Sequence, residues 1–228
     1  MKTIVIIPYR NRLKHLLYYI KHTAPLLKKH IPDLEIIVVE QNKKINLFNK
    51  GKLINIGFHY YNNLEYNYIM NDVDTNPIHL DVIKKYKDPV KNNVIQGIYN
   101  HNICLGGIFK FNGFTYKKSN GCPNNFWGWG YEDTCFQQRI ELLKIKINRF
   151  KKPNDKDINK YFKIFNDIDD RNKKNHDIRI KLGKNVMKSK NNKIKVKYIL
   201  FSGLNTLKYK INKTIKINDY ITLINVAL

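Results

Sequence analysis

The chain has 228 residues, 43% hydrophobic and 12% aromatic, which suits one folded domain with a full core and excludes a disordered or low-complexity protein. Its formal net charge of +24 points first to a polyanion such as nucleic acid. The excess is mostly lysine spread along the whole chain, unlike an arginine-rich groove on one face, so no nucleic acid is expected as a specific partner.

Cys104, Cys122 and Cys135 are sparse and lack metal-ligand spacing, which argues against a disulfide framework. Met1 leads straight into an apolar strand rather than a signal peptide, and no apolar run approaches the ~18 residues of a membrane span. The expectation is therefore a single domain over residues 1–228 with no membrane anchor, in the reducing cytoplasm.

Taken in order, Ile4 to Ile7 is a continuous β-branched run, the mark of a strand buried on both faces. Leu13, Leu16, Leu17 and Ile20 recur at helical spacing toward Lys21, and Pro25 begins a short further turn. Ile36 to Val39 is a second buried strand, completing a βαβ unit whose ligands would sit at the carboxyl ends of its strands. Arg10 and Arg12 fall on that rim.

A helix is expected through Leu53, Ile54, Gly57, Phe58 and Tyr61, entered at Phe48-Asn49-Lys50, and a third strand over Tyr66 to Met70. Asp72-Val73-Asp74 follows directly. On an extended backbone both carboxylates would share one side while Val73 faces the core. Two acids so close repel unless a cation lies between them, and hard oxygen donors suit Mg²⁺ or Mn²⁺.

Gly106-Gly107 opens a strand over Ile108 to Phe111. After it comes Asn124 to Asp133, which holds both tryptophans, Trp127 and Trp129, each followed by glycine. Large flat rings on so permissive a backbone suit a surface that closes over a hydroxylated ligand. Glu132 and Asp133 then open a helix that runs through Phe136, Ile140 and Leu143 to about Lys144. There the helix dipole stabilises carboxylates and fixes their direction. A short strand over Ile145 to Ile147 and an alternating antiparallel tail (Ile194, Val196, Tyr198; Ile215, Ile217) complete the chain.

Asn120 to Asp133 (NGCPNNFWGWGYED) closely resembles the acceptor-binding segment of the β-1,4-galactosyltransferase family, NGFPNNYWGWGGEDD. Ile6 to Arg12 resembles IIPFRNR, Phe48 to Phe58 resembles FNRAKLLNVGF, and Asn71 to Asp74 resembles SDVD. Arg171 to Asn175 is similar to RDKKN and Ser202 to Asn205 to DGLN, so matches in one order run from residue 4 to about 210.

The resemblance implies an α/β fold of GT-A type. That is a Rossmann-like, mostly parallel central sheet flanked by helices, with a small antiparallel β part at the C-terminus. It also implies an inverting transferase that moves a sugar from UDP-Gal or UDP-GalNAc to a hydroxyl of a carbohydrate or glycoconjugate, with Mn²⁺ or Mg²⁺. Pro8, Tyr9, Arg10, Arg12, Phe48, Lys50, Asp72, Val73, Asp74 and Trp129 would bind the nucleotide sugar. Trp129, Tyr131, Glu132 and Asp133 would bind the acceptor. Asp133 would be the general base and Glu132 its neighbour in orienting the acceptor.

Three departures stand out. Where the family has a Met-x-x-His metal segment, this chain has Asn166-Asp167-Ile168-Asp169, so the third ligand beside Asp72 and Asp74 is Asp169 or, a few residues on, His176. Tyr131 replaces a glycine. Cys104 replaces the aromatic that limits the donor's 2-substituent, leaving room for an N-acetyl group. A non-catalytic carbohydrate-binding descendant of the fold is the alternative, and a basic nucleic-acid-binding module a more distant one.

Overall fold

The computed structural model describes residues 1–44, 47–101, 104–128, 130–150, 158–165 and 199–228. At its centre lies β1 (Thr3–Tyr9), every residue of which is buried. It pairs in parallel with β2 (Leu34–Gln41) on one side and β3 (Asn67–Asn71) on the other. Ile4 and Ile6 face one apolar layer and Val5 and Ile7 the other, which is why the run is apolar without alternation.

Between β1 and β2, α1 (Leu13–Tyr18) passes through one π-helical turn over Tyr19–Thr23 into α2 (Ala24–His30). The helical stretch is thus longer than the sequence spacing indicates. Pro25, the second residue of α2, has no N–H to give to the helical ladder, and the π-helical turn lies directly before it. Of the expected apolar stripe, Leu16 is buried while Leu13 and Leu17 are exposed, and Tyr19, Ala24 and Leu27 join Leu16 in the core. The wider π turn rotates the face that meets the sheet.

On the opposite face lies α3 (Lys50–Tyr61), with the Asn49 side chain accepting from the Lys52 N–H and Asn62 left-handed at the far end. After β3 come the short β4 (Thr75–Pro77) and α4 (Leu80–Lys87), then β5 (Val94–His101) and β6 (Cys104–Asn112). Neither α4 nor β5 is anticipated above. Both were legible: Val82, Ile83 and Tyr86 are buried at helical spacing, and Val94 to Tyr99 is rich in strand formers.

Then follow α5 (Gly113–Lys118), α6 (Glu132–Leu142), β7 (Lys146–Arg149), α7 (Ile158–Tyr161) and β8 (Phe162–Ile164). The chain closes with β9 (Lys210–Asn218) and β10 (Ile221–Ala227). The main sheet has the order β7-β5-β6-β3-β1-β2-β10-β9, and β4 pairs with β8 in a small second sheet.

Four pairings of the main sheet are parallel and three antiparallel among the described residues. The C-terminal β part is the antiparallel hairpin of β9 and β10. It extends the main sheet, with β10 parallel to β2. The Ile194 to Tyr198 alternation lies outside the described residues. No helix among those described is long and apolar enough to cross a membrane.

Candidate active site

The carboxyl ends of β1 and β3 and the start of α6 converge. Asn71, the last residue of β3, is buried, and its amide donates to the carbonyls of Asp72 (2.7 Å) and Thr75 (2.8 Å). Its Oδ1 accepts from the buried Tyr86 hydroxyl at 2.6 Å. These bonds hold Asp72-Val73-Asp74 in a tight turn, closed by the Thr75 N–H donating to the Asp72 carbonyl at 3.0 Å. The backbone is therefore turned rather than extended, which corrects the expected alternation. Val73 is nonetheless buried in the core.

The turn gives each acid its own cation. Arg12 donates to Asp74 Oδ2 at 3.3 Å, and Thr75 Oγ1 donates to the other oxygen at 3.2 Å. Asp72 Oδ2 accepts from Lys50 Nζ at 2.9 Å and from the Gly107 N–H at 3.2 Å. Burial, then the charge of Asp72, pushes the Asp74 carboxyl above its usual range, against Arg12 and Lys50. Two carboxylates this close in one turn leave room for a further cation between them, and their hard oxygens suit Mg²⁺ or Mn²⁺.

Among the described residues no group of three or more His, Cys, Asp or Glu side chains forms, and Asp169 and His176 lie outside them. Arg10 Nη1 is buried with no hydrogen-bond partner, a donor left for an anion at this rim.

Lys50 also joins the two ends of the site. Its side chain is only 9% exposed, and its ammonium lies 3.1 Å from Asp133 Oδ2 as well as on Asp72. Asp133 has room there because residue 106 is glycine: a Cβ on Gly106 would stand 2.5 Å from Asp133 Oδ2. Burial raises the Asp133 carboxyl to about 7, against the pull of Lys50 and with the charges of Glu132 and Asp72 adding to it. The expectation that the helix start favours the ionised form is thus corrected, because desolvation outweighs a dipole whose effect is modest at a partly exposed end.

Glu132 is buried beside it and turns back, its Oε2 accepting from the Gly130 N–H at 3.0 Å, which ties the end of the tryptophan loop to α6. Burial raises its carboxyl too, against Lys50.

Tyr131 precedes the helix at φ 69°, ψ −14°, a left-handed conformation that costs a non-glycine residue about 1–2 kcal/mol. That is the physical reason a glycine would suit this position. Trp127 is half-buried with Lys52 Nζ 5.4 Å from its ring centroid, while Trp129 lies outside the described residues. The Phe48 carbonyl accepts from the Gly128 N–H at 2.5 Å, linking α3's entry to the loop. Pro8 and Tyr9 end β1, and Cys104 begins β6 two residues before Gly106.

The stem of the loop is fixed by buried side chains that sequence reasoning missed. Asn55 donates to the Cys122 carbonyl and to Asn124 Oδ1 and accepts from the Tyr116 hydroxyl. Asn124 donates to the Gly203 carbonyl at 2.6 Å, and Arg139, wholly buried, donates to the carbonyls of Asn120, Gly121, Ile199 and Ser202. The density of asparagine between residues 120 and 125 was the available signal.

A Rossmann-like sheet with an acidic turn after one strand, facing two carboxylates at the start of a helix, is the arrangement of the GT-A fold. A family model described as the N-terminal region of glycosyl transferase group 7 matches residues 1–86, and one described as the N-terminal domain of galactosyltransferase matches residues 90–167. The chain belongs to the β-1,4-galactosyltransferase family.

It is 38% identical over 189 residues to β-1,4-galactosyltransferase 4 of Cricetulus griseus, covering 78% of this chain and 52% of that one. It is 34% identical over 157 residues to the xylosylprotein 4-β-galactosyltransferase of Caenorhabditis elegans, covering 65% and 53%. The chain spans about half the length of the curated relatives it matches.

Among solved structures, a mutant of Drosophila β-1,4-galactosyltransferase 7 in complex with manganese, UDP-Gal and xylobiose has a TM-score of 0.75 at 24% identity. That match covers 100% of this chain and 94% of that one. The catalytic domain of the same enzyme in complex with xylobiose gives 0.73 at 25% identity, with the same coverage of both chains.

Proposed function

We propose that this chain is a single catalytic domain, residues 1–228, that transfers galactose or N-acetylgalactosamine from its UDP conjugate to a carbohydrate hydroxyl, with inversion. The observation that carries the proposal is the Lys50 ammonium at 2.9 Å from Asp72 and 3.1 Å from Asp133, which makes the acidic turn and the helix-start carboxylate one site. Its family and its likeness to a fold solved with manganese and UDP-Gal support the same reading.

In this mechanism Asp133 accepts the proton of the attacking hydroxyl. The hydroxyl oxygen bonds to the anomeric carbon from the face opposite the nucleotide, the anomeric carbon–oxygen bond breaks, and UDP leaves with that electron pair. Arg10 and Arg12 bind the diphosphate. Asp72 and Asp74 would hold Mn²⁺ or Mg²⁺, with Asp169 or His176 as third ligand, and the metal's chemistry is to neutralise the leaving diphosphate. Pro8, Tyr9, Phe48 and Val73 shape the nucleotide slot. Trp129 covers donor and acceptor and keeps water out, and Tyr131 and Glu132 orient the acceptor. Cys122 and Cys135 are free thiols, which suits a reducing, cytoplasmic setting.

The test is UDP release across a panel of UDP-sugars with and without Mn²⁺. Release should require the metal, and the small Cys104 should let UDP-GalNAc serve at least as well as UDP-Gal. Asp74→Ala should abolish metal-dependent UDP binding in calorimetry while the protein stays folded, because Asp74 lies in a partly exposed turn. Unchanged metal-dependent affinity in that variant would overturn the proposal.

A second variant probes the base's seat. Gly106→Ala should displace the Asp133 carboxylate by a fraction of an ångström and lower turnover on the order of tenfold. Wild-type turnover in a folded Gly106→Ala protein would remove Asp133 from the position assigned to it.

A further inference from the structure

The acidic turn and the helix-start carboxylate share one ammonium. Lys50 is the first residue of α3, anchored by the Asn49 cap, and its buried Nζ touches one oxygen of Asp72 and one of Asp133. Asp72 Oδ2 is also aimed by the Gly107 N–H, while Asp74 is held by Arg12.

We propose that Lys50 is a positioning residue that couples the donor end of the site to the base by dividing its ammonium between Asp72 and Asp133. The proposal rests on the reading of Asp72 and Asp74 as cation ligands. A divalent ion on that pair draws on the charge of Asp72, so the hold of Lys50 shifts toward Asp133 and fixes the base in the space Gly106 leaves. Conversely, when residue 133 carries no charge, the Lys50 ammonium is drawn more strongly to Asp72 and competes with the ion. Such coupling is reciprocal, whichever end is perturbed.

The opposing signs make the test sharp. Binding of Mn²⁺ alone to the full chain is measured by electron paramagnetic resonance for wild type, Lys50→Met, Asp133→Asn and the double variant. Lys50→Met removes the competitor and should tighten Mn²⁺ by at least about fivefold while turnover falls. Asp133→Asn should weaken Mn²⁺ by a comparable factor. With Lys50 already replaced, Asp133→Asn should change Mn²⁺ affinity by less than about twofold. A lysine that merely supported the fold would lower affinity and turnover together.

Lys50→Arg keeps the charge in the slot and should retain the response to Asp133→Asn. Melting curves establish that Lys50→Met is folded. If it is not, the Asp133→Asn arm decides alone, since unchanged Mn²⁺ affinity there overturns the coupling. Weaker or unchanged Mn²⁺ affinity in a folded Lys50→Met overturns it equally. Absence of Mn²⁺ binding to wild type, or full binding to Asp74→Ala, overturns the cation-site reading itself and the coupling with it.

Discussion

Replacing Asp133 by asparagine should lower turnover by a factor on the order of 10² or more, the usual contribution of a positioned general base. The substitution keeps the shape beside Gly106 and an oxygen that can accept from Lys50, but removes the group that takes the proton. Steady-state rates at saturating donor and acceptor measure the effect.

Its pH dependence follows from the burial that holds the carboxyl near 7. A base works only when ionised, so wild-type kcat/KM should rise with pH up to and through about 7 and level off above it. The residual rate of Asp133→Asn should lack that rise. Turnover above about a tenth of wild type in the variant would transfer the role to Glu132. In the present arrangement Glu132 is oriented by the Gly130 N–H, which donates to its Oε2.

The second large effect is on folding. Arg139→Leu should destabilise the protein by about 4 kcal/mol or more, because each buried acceptor left without a donor costs about 1–3 kcal/mol. Arg139 is wholly buried, and its guanidinium serves four carbonyls, two in the stem of the tryptophan loop and two in the segment that enters the C-terminal hairpin. Leucine matches none of those donors.

For a chain of this size the loss corresponds to a fall in Tm of about 10 °C, or to unfolding where the total is at the low end of the usual 5–15 kcal/mol. Urea unfolding measures it. A loss under about 1 kcal/mol would mean that water replaces the guanidinium and that the stem is held by Asn55 and Asn124 instead. Arg139→Lys keeps the charge but not the fork, and should fall between the two.

These two residues mark how far the sequence could be read. The β-branched runs at Ile4 to Ile7 and Ile36 to Val39 determine buried strands by themselves, because only a sheet covered on both faces uses so many apolar residues in succession. The order of short motifs identified the family. Adjacent charges such as Asp72 with Asp74 and Glu132 with Asp133 were visible because proximity in sequence guarantees proximity in space.

What the sequence does not contain is distance between residues far apart along it. That Lys50 joins Asp72 to Asp133, that Gly106 makes room for the base, and that Arg139 pins Gly121 to Ser202 all follow from how α3, β6 and α6 meet. Periodicity carries no record of such meetings, since it fixes a helix's apolar face and not its neighbour across the sheet. The helix start likewise suggested an easily ionised Asp133, a local argument. Tertiary burial reversed it, because a carboxylate withdrawn from water beside two other acids loses more than one ammonium and a helix dipole restore.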